Sequence, residues 1–413
     1  MNNFTLSDVA SFENLYQNAK ECINGVLWKR SVQEFRFLMA KNVAAISQQL
    51  FNGTYKSKGF VEFWIWERGK RRFIQSVHIT ERMVQKSLCN NVLKPLVEPL
   101  LIPENCASRK GYGTQTAINN IRTHLIIHYE KYGIQGGILL IDLHDYFHSI
   151  SHQILIQKYK EIITDTQLLD LISYFICCFD KGLGLGSEIS QISAIFYAND
   201  IDHYIKDIIG IQFYGRYMDD SYVIYYDLCE LKHILHAIQN MYKNLGIELN
   251  NKKTQIIPFE KNDFAFLKKR IHLNTDGTVV MRPVHKKFKM IRRKLKKMKE
   301  KLNNNQITMG SVRQTYRSIR GELVKYNCQT SIYNIDKLYL KLFNENYDGA
   351  TIEDIAFKKN LYVMSRNKTP HDIVGKEFRQ WLDKTELFSY KKTVIKNMKK
   401  VVFDLYQVRW NKL

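Results

Sequence analysis

The chain has 413 residues, 45% of them hydrophobic, enough for two or three packed domains with ordinary cores. Its formal net charge of +22 points to a polyanionic partner, because clustered Lys and Arg displace counterions from phosphate backbones. The seven cysteines (Cys22, Cys89, Cys106, Cys177, Cys178, Cys229, Cys328) form no C-x-x-C pair and no zinc spacing with His, so they read as reduced thiols. The first ten residues lack a signal-peptide apolar core, and no apolar run is long enough to span a bilayer. The expectation is a cytoplasmic protein with no membrane partner.

In chain order, residues 1–58 read as mainly helical, with Val43, Ala44, Ile46 and Leu50 set among polar residues as on a surface helix. Residues 60–78 read as two strands. Phe60–Trp66 is aromatic and β-branched, 67–71 is a turn, and 72–77 returns. A helix is expected from Thr80, as N-cap, to Lys94, where Pro95 should stop it. Gly137–Asp142 is a short apolar strand ending in a carboxylate. Helices follow at 150–160 and 165–178, and the Gly-rich loop Gly182–Gly186 leads into a helix over 190–207. Strands over 211–217 and 221–226 flank Met218-Asp219-Asp220. A helix at 228–245 and short strands near 247–257 and 263–272 complete this region. Strands and helices interleave without a regular βαβ rhythm, which predicts an α+β fold.

Beyond His285 the sequence is helical and basic. Residues 286–301 hold ten Lys/Arg and one acidic residue, and Phe288, Ile291, Leu295, Met298 and Leu302 form one apolar stripe. Lys358–Lys412 carries 14 Lys/Arg against five Asp/Glu. Charge gathered in two stretches is an electrostatic footprint for nucleic acid rather than a general solubilising surface.

Nucleotide transfer needs divalent metals held by carboxylates, and Mg²⁺ prefers hard oxygen ligands. Asp142 at a strand end and the Asp219-Asp220 pair in a hairpin turn can supply them if their strands are sheet neighbours. An Asp pair in a turn is weak on its own, since Asp is a favoured turn residue. Its neighbours carry more. Tyr217-Met-Asp-Asp220 resembles the YxDD box of reverse transcriptases, Asp142-Leu-His-Asp-Tyr-Phe147 their first palm motif, and Leu185-Gly-Ser-Glu-Ile-Ser-Gln191 the Gly-x-x-x-Ser loop before the palm helix. Lys70–Ile74 and Glu81–Gln85 resemble the fingers motif of bacterial reverse transcriptases, and Ser108–Gly113 their next motif. Leu245–Thr254 resembles the later palm motif and Phe264–Leu267 the start of the primer-grip hairpin. The resemblance covers roughly residues 60–345.

This resemblance implies a right-hand polymerase: an N-terminal helical segment (1–58), fingers with a ferredoxin-like palm (59–283), a basic helical thumb (284–345) and a helical extension (346–413). It implies RNA-directed DNA synthesis with dNTPs, an RNA template, a DNA product and two Mg²⁺ ions, Mn²⁺ being the alternative. Asp142 and Asp219 are the implied ligands of both metals, with Asp220 and the Leu143 carbonyl as further ligands. Phe147 is the implied gate against a 2′-hydroxyl, against the plainer reading of a core aromatic. Arg71 or Arg72 is expected on the triphosphate, since a guanidinium grips phosphate bidentately. Gly186 and Ser187 are expected to line the nucleotide pocket, and Gln191 to follow that loop or simply begin the helix. Lys253 is either a proton donor to pyrophosphate or a surface lysine. Lys287, Arg293 and Lys297 are expected on nucleic-acid phosphates.

The L-G-x-x-x-S-Q form resembles enzymes of diversity-generating retroelements and defence-associated or orphan bacterial reverse transcriptases, relatives of group II intron and retron enzymes. It implies antiviral defence, with retroelement diversification or untemplated and protein-primed synthesis as alternatives. A dedicated structured non-coding RNA, an oligomer or an accessory protein are the partners expected with it. Lys268-Lys-Arg270 stands where many relatives carry Gly after Phe-Leu. A catalytically silent RNA-binding scaffold has no use for three converging acids.

Overall fold

The computed structural model describes residues 3–67, 70–260, 263–324, 326 and 328–345. They divide into two units, one ending at Met281 and the other starting at Arg282. The basic stretch 358–412 and the expected extension 346–413 lie outside the described residues. Among the described residues, no helix is long and apolar enough to cross a membrane.

The first unit is organised by one four-stranded sheet. Its strands are the antiparallel neighbours Phe213–Tyr217 (which we number β4), Asp220–Tyr225 (β5), Gly137–Asp142 (β3) and Gln255–Pro258 (β6), in that order. All six residues of β3 are buried, which is why it reads as an unbroken apolar run. Period-two alternation still sorts them. Leu139, Ile141 and Val223 join one core with the helices, while Ile138, Leu140, Tyr222 and Ile224 join another. That second core is closed by Ala117, Ile118, Ile121 and Leu125 of the helix Thr114–Tyr132. Phe264, Phe266, Ile271 and Leu273 complete it, from the three-stranded sheet of Phe264–Phe266 (β7), Lys269–Leu273 (β8) and Val279–Pro283 (β9). Earlier in the chain, Phe60–Glu67 (β1) and Lys70–Val77 (β2) form a separate hairpin. The N-terminal helices Phe12–Ile23 and Met39–Phe51 put Leu15, Ala19, Val43 and Leu50 into a shared core with Met83, Val84 and Leu88 of the helix Ile79–Leu88.

The described part of the second unit contains three helices, His285–Asn303, Met309–Val324 and Gln329–Phe343. The apolar stripe Phe288, Ile291, Leu295 and Met298 is its core, with Val312, Tyr316, Ile335 and Tyr339. Tyr316 and Tyr339 stack with ring centroids 4.0 Å apart, and the Tyr316 hydroxyl donates to Asp336. Leu302 is only partly buried.

Several local expectations are corrected. Thr80 is not the N-cap. His78 takes that place with extended backbone, and the helix starts at Ile79. Pro95 does not end the helical path: a π-turn at Cys89–Leu93 widens the coil, and Pro95 sits at the start of the short helix Lys94–Val97, where its missing N–H costs little. The helix expected over 190–207 breaks into Glu188–Tyr197 and Asn199–His203, followed by a π-turn to Ile208. The strand near 247–257 shrinks to Gln255–Pro258, because the preceding residues turn around Asp142 instead. The hairpin turn is tighter than 67–71, with both strands running on to Glu67 and Lys70. The nineteen-residue helix Thr114–Tyr132 was not expected at all.

Leu295 has no exposure, whereas Lys297 lies on the outer side of the same helix. Leu295→Ala is expected to lower local stability by about 2–5 kcal/mol, and Lys297→Ala to change it by less than about 0.5 kcal/mol. Amide hydrogen exchange along 285–303 reads both, and equal effects would remove the stripe from the core.

Candidate active site

Register puts the carboxylates together. Asp142 is the last residue of β3 and Asp220 the first of β5, and the two are direct partners across the ladder. Tyr217 pairs with Asp220, so Met218 and Asp219 are the two-residue turn between β4 and β5. Met218 takes φ 56°, a left-handed conformation that a Met adopts only under constraint. Part of the constraint is Arg216, whose Nη1 donates to the Met218 carbonyl at 3.3 Å.

Asp142 is buried and fully engaged. Asn250 Nδ2 donates to its Oδ1 at 2.9 Å, and Lys253 Nζ to its Oδ2 at 2.5 Å. The backbone N–H of Asn250 donates to the Asp142 carbonyl at 2.8 Å, and that of His144 to the Glu248 carbonyl at 2.8 Å, bracketing Leu143 against Leu249. Burial works against charge on Lys253, but the hydrogen bond to Asp142 and the nearby carboxylates outweigh it and raise its pKa. Lys253 is therefore held protonated at the carboxylates.

The other two acids are perturbed. Burial raises the Asp219 pKa; Asp142 raises it further, while its own backbone N–H, Lys253 and Arg72 oppose. Asp220 is pushed up to about 7, first by burial, then by Asp219 and Asp142, with Lys253 and Lys268 opposing. Neighbouring carboxylates with oxygen donors only suit a divalent cation of the Mg²⁺ type. As the side chains stand, no three acidic, His or Cys groups among the described residues form a ready ligand set. Lys253 is ion-paired with Asp142 at 2.5 Å.

The remaining expected residues fall into separate places. Arg72 is near enough to act on Asp219, while Arg71 lies with its guanidinium 4.1 Å over the Trp64 ring. Phe147 is half-buried, and its carbonyl accepts from Leu183 N–H at 2.7 Å, which ties it to the Gly-rich loop. That loop must run close to its neighbours. A Cβ on Gly184 would stand 2.1 Å from the Phe179 ring, and Gly186, at φ 115°, lies against the Gln75 carbonyl. Gly186 and Gln191 line a cavity of about 390 Å³ with Arg82, Gln85, Lys86, Lys94 and Ser108. Ser187 does not face it. It is buried as the N-cap of the helix Glu188–Tyr197, and its hydroxyl donates to Gln85 Oε1 at 3.0 Å. Arg293 and Lys297 are exposed, in the second unit, while Lys287 pairs with Glu322 and lies over the Tyr326 ring.

Four contributing residues were missed in the sequence. Asn250 lies inside the quoted 245–254 motif, but nothing local marks it as Asp142's partner. Lys268 acts on Asp220 across the fold. Arg216 and Asp202 form a wholly buried ion pair, Nη2 to Oδ2 at 2.7 Å. A charged residue inside an otherwise apolar strand was the available signal for it, since buried charge demands a partner.

The Asp220 shift has a testable consequence. Its folded pKa, about 7, lies above its ordinary value, so above pH 7 the folded state bears a desolvated charge that the unfolded state does not. In metal-free buffer Asp220→Asn is expected to raise the thermal midpoint at pH 8. The gain should shrink as pH falls through 7 toward 4. Calorimetry in EDTA measures it, and a gain independent of pH would contradict the burial of this carboxylate.

Comparison with known proteins is consistent with this geometry. No curated protein matches the chain in sequence. Among solved structures, a telomerase from Candida albicans in complex with a TWJ fragment of telomeric RNA aligns at TM-score 0.44 and 15% identity, over 82% of this chain and 64% of that one. An apo telomerase from Candida tropicalis truncated from its C-terminal domain aligns at TM-score 0.41 and 15% identity, over 53% of this chain and 54% of that one. The chain thus spans less than two thirds of either structure, and the assignment rests on the family match. The reverse transcriptase (RNA-dependent DNA polymerase) family matches residues 56–271, just over half of the sequence. The chain belongs to that family of nucleotidyltransferases, with its right-hand polymerase fold of mixed helix and sheet.

Proposed function

We propose that this chain copies RNA into DNA at the adjoining ends of β3 and β5. The observation that carries the reading is the ladder pairing of Asp142 with Asp220, with Asp219 in the adjacent turn. Asp142 and Asp219 would hold the divalent cations, with Asp220 and the Leu143 carbonyl as further ligands. Mg²⁺ suits the oxygen donors, and Mn²⁺ is the alternative. When bound, such ions lower the pKa of an attacking 3′-hydroxyl and neutralise the triphosphate. Arg72 would grip the triphosphate, since its charge reaches Asp219 while Arg71 is turned onto Trp64. Lys253, kept protonated beside Asp142, would release Oδ2 as metal binds and give its Nζ proton to the leaving pyrophosphate.

Phe147 would lie against the incoming sugar and exclude a 2′-hydroxyl. Gly186 and Gln191 would admit the base and sugar, with Ser187 bracing that loop from below. In the second unit, Arg293 and Lys297 would meet phosphates of the template–primer duplex through backbone shape rather than sequence. Lys287, tied to Glu322, would hold the bundle instead. In this reading residues 59–283 are fingers and palm and 284–345 the thumb. The cellular setting we propose is antiviral defence in the cytoplasm of a bacterium, with a dedicated structured RNA as template. Its support is the L-G-x-x-x-S-Q loop, and sequencing the nucleic acid that copurifies with the chain tests it.

Primer extension on an RNA template tests the chemistry. Asp219→Ala with Asp220→Ala should abolish Mg²⁺-dependent dNTP incorporation while circular dichroism stays unchanged. Near wild-type incorporation would sink the assignment. In the same assay Phe147→Ala should raise the ratio of ribo- to deoxynucleotide incorporation, and an unchanged ratio returns Phe147 to the core.

The basic helix has its own test. Arg293→Glu with Lys297→Glu should weaken binding of an RNA–DNA duplex and flatten its salt dependence, by about 0.7–0.9 in the log–log slope per lost phosphate contact. Equal slopes for variant and wild type would make these residues ordinary solvated charges.

A further inference from the structure

The hairpin of β1 and β2 has two faces with different surroundings. Opposed residues share a face, so Val61/Ser76, Phe63/Ile74 and Ile65/Arg72 lie on one, and Phe60/Val77, Glu62/Gln75, Trp64/Phe73 and Trp66/Arg71 on the other. On the first face Val61 and Phe63 are exposed, while its Ile74 and Arg72 meet the candidate site. Ile74 Cγ2 lies 3.4 Å from where a Gly186 Cβ would stand, and Arg72 acts on Asp219. On the second face the inner rungs are packed: Phe60 stacks on Phe179 at 4.9 Å, and Gln75 Nε2 donates to Glu62 at 2.9 Å. Among the described residues the outer rungs have no such cover. Trp64, Phe73 and Trp66 are 53%, 37% and 75% exposed.

These side chains are arranged, not scattered. Trp64 and Phe73 have ring centroids 5.0 Å apart, and the Arg71 guanidinium sits 4.1 Å over Trp64. Both outer rungs lack an acidic residue, and Glu62, one rung inward, is engaged by Gln75. The exposed Trp66 and Phe73 rings, next to a Trp64 whose ring carries the Arg71 guanidinium, on a chain of net charge +22, match unpaired bases and their phosphates in chemistry and charge.

We propose that Trp64, Trp66, Phe73 and Arg71 form a stacking platform for single-stranded RNA, on the side of the hairpin turned away from the carboxylates. The platform holds unpaired RNA outside the nucleotide site. The choice of RNA rests on the reading of the chain as an RNA-copying polymerase; the stacking chemistry itself does not.

The test uses the full chain and a fluorescein-labelled twelve-nucleotide oligouridylate, with affinity read by anisotropy. Trp64→Ala with Trp66→Ala should weaken binding about tenfold or more, the loss expected for one stacked base. Trp64→Phe with Trp66→Phe should stay within about twofold, because a stacking face is retained. Incorporation of one dNTP on a saturating preformed primer–template should be unchanged in both. Wild-type affinity in the double alanine variant overturns the proposal. So does a change in solution mass by light scattering with RNA affinity unmoved, which would make the patch a protein contact. Failure of the wild type to extend a primed RNA would remove the polymerase reading, while the binding curves still decide the platform.

Discussion

The Arg216–Asp202 ion pair is wholly buried, and the candidate site hangs from it. Arg216 Nε and Nη2 reach both oxygens of Asp202 at 2.7–3.0 Å, Nη2 also donates to the Ile195 carbonyl, and Nη1 to that of Met218. Asp202 further accepts from the Tyr214 hydroxyl at 2.6 Å and from Asn105 Nδ2 at 3.2 Å. Desolvating two such charges costs several kcal/mol each, and the cost is offset only when nearly every donor and acceptor finds a partner, as here. Loss of either partner leaves a bare buried charge, at about 3–5 kcal/mol. The pair joins the helices after the Gly-rich loop to the turn that carries Asp219. It fixes a Met in left-handed backbone, a conformation a loose turn would abandon.

Once the turn is fixed, the electrostatics follow from the distribution of charge. The acids come from two sheet strands and their connecting turn, and the opposing cations from three other segments: Arg72 on the hairpin, Lys253 after the Asn250 turn, and Lys268 between β7 and β8. None of these cations neutralises the cluster fully, since Asp220 still rises to about 7. A site that is acidic, partly desolvated and only partly compensated is poised to gain from a divalent ion, because each added positive charge relieves repulsion already present.

How much of this could be read from the sequence depends on whether the cause was local. β3, the β4–β5 hairpin, the β1–β2 hairpin and the basic helix were legible, because turn chemistry, apolar runs and a helical stripe lie within a few residues of one another. The helix Thr114–Tyr132 was not. Its core positions Ala117, Ile118, Ile121 and Leu125 are followed by Ile126 and Ile127, which blur the stripe. The break after Tyr197 and the shortened β6 are tertiary in origin. Over 248–254 only the Asn250 N–H reaches the Asp142 carbonyl, while the Lys253 and Thr254 N–H groups close a turn on the Asn250 carbonyl instead of extending a ladder. Partners such as Asn250 to Asp142, or Asp202 to Arg216, are separated by 108 and 14 residues, and no spacing rule links them. The split between Arg71 and Arg72 needed the observed register, which sends neighbouring residues to opposite faces.

The turn between β7 and β8 shows what a departure from a family pattern can exchange. Phe266 pairs with Lys269, leaving Leu267 and Lys268 as a two-residue turn with φ 45° and 66°. Glycine meets that demand without strain, and Leu and Lys do not. The sequence nonetheless places Lys here, and its ammonium is one of the two cations that restrain the Asp220 pKa. Backbone strain at a turn of this kind amounts to about 1–3 kcal/mol per residue. Part of that is offset where the side chain lowers the energy of a crowded carboxylate. Glycine at 268 would relax the turn and remove a positive charge from the carboxylates at once, so conformational strain and electrostatics at this position oppose each other.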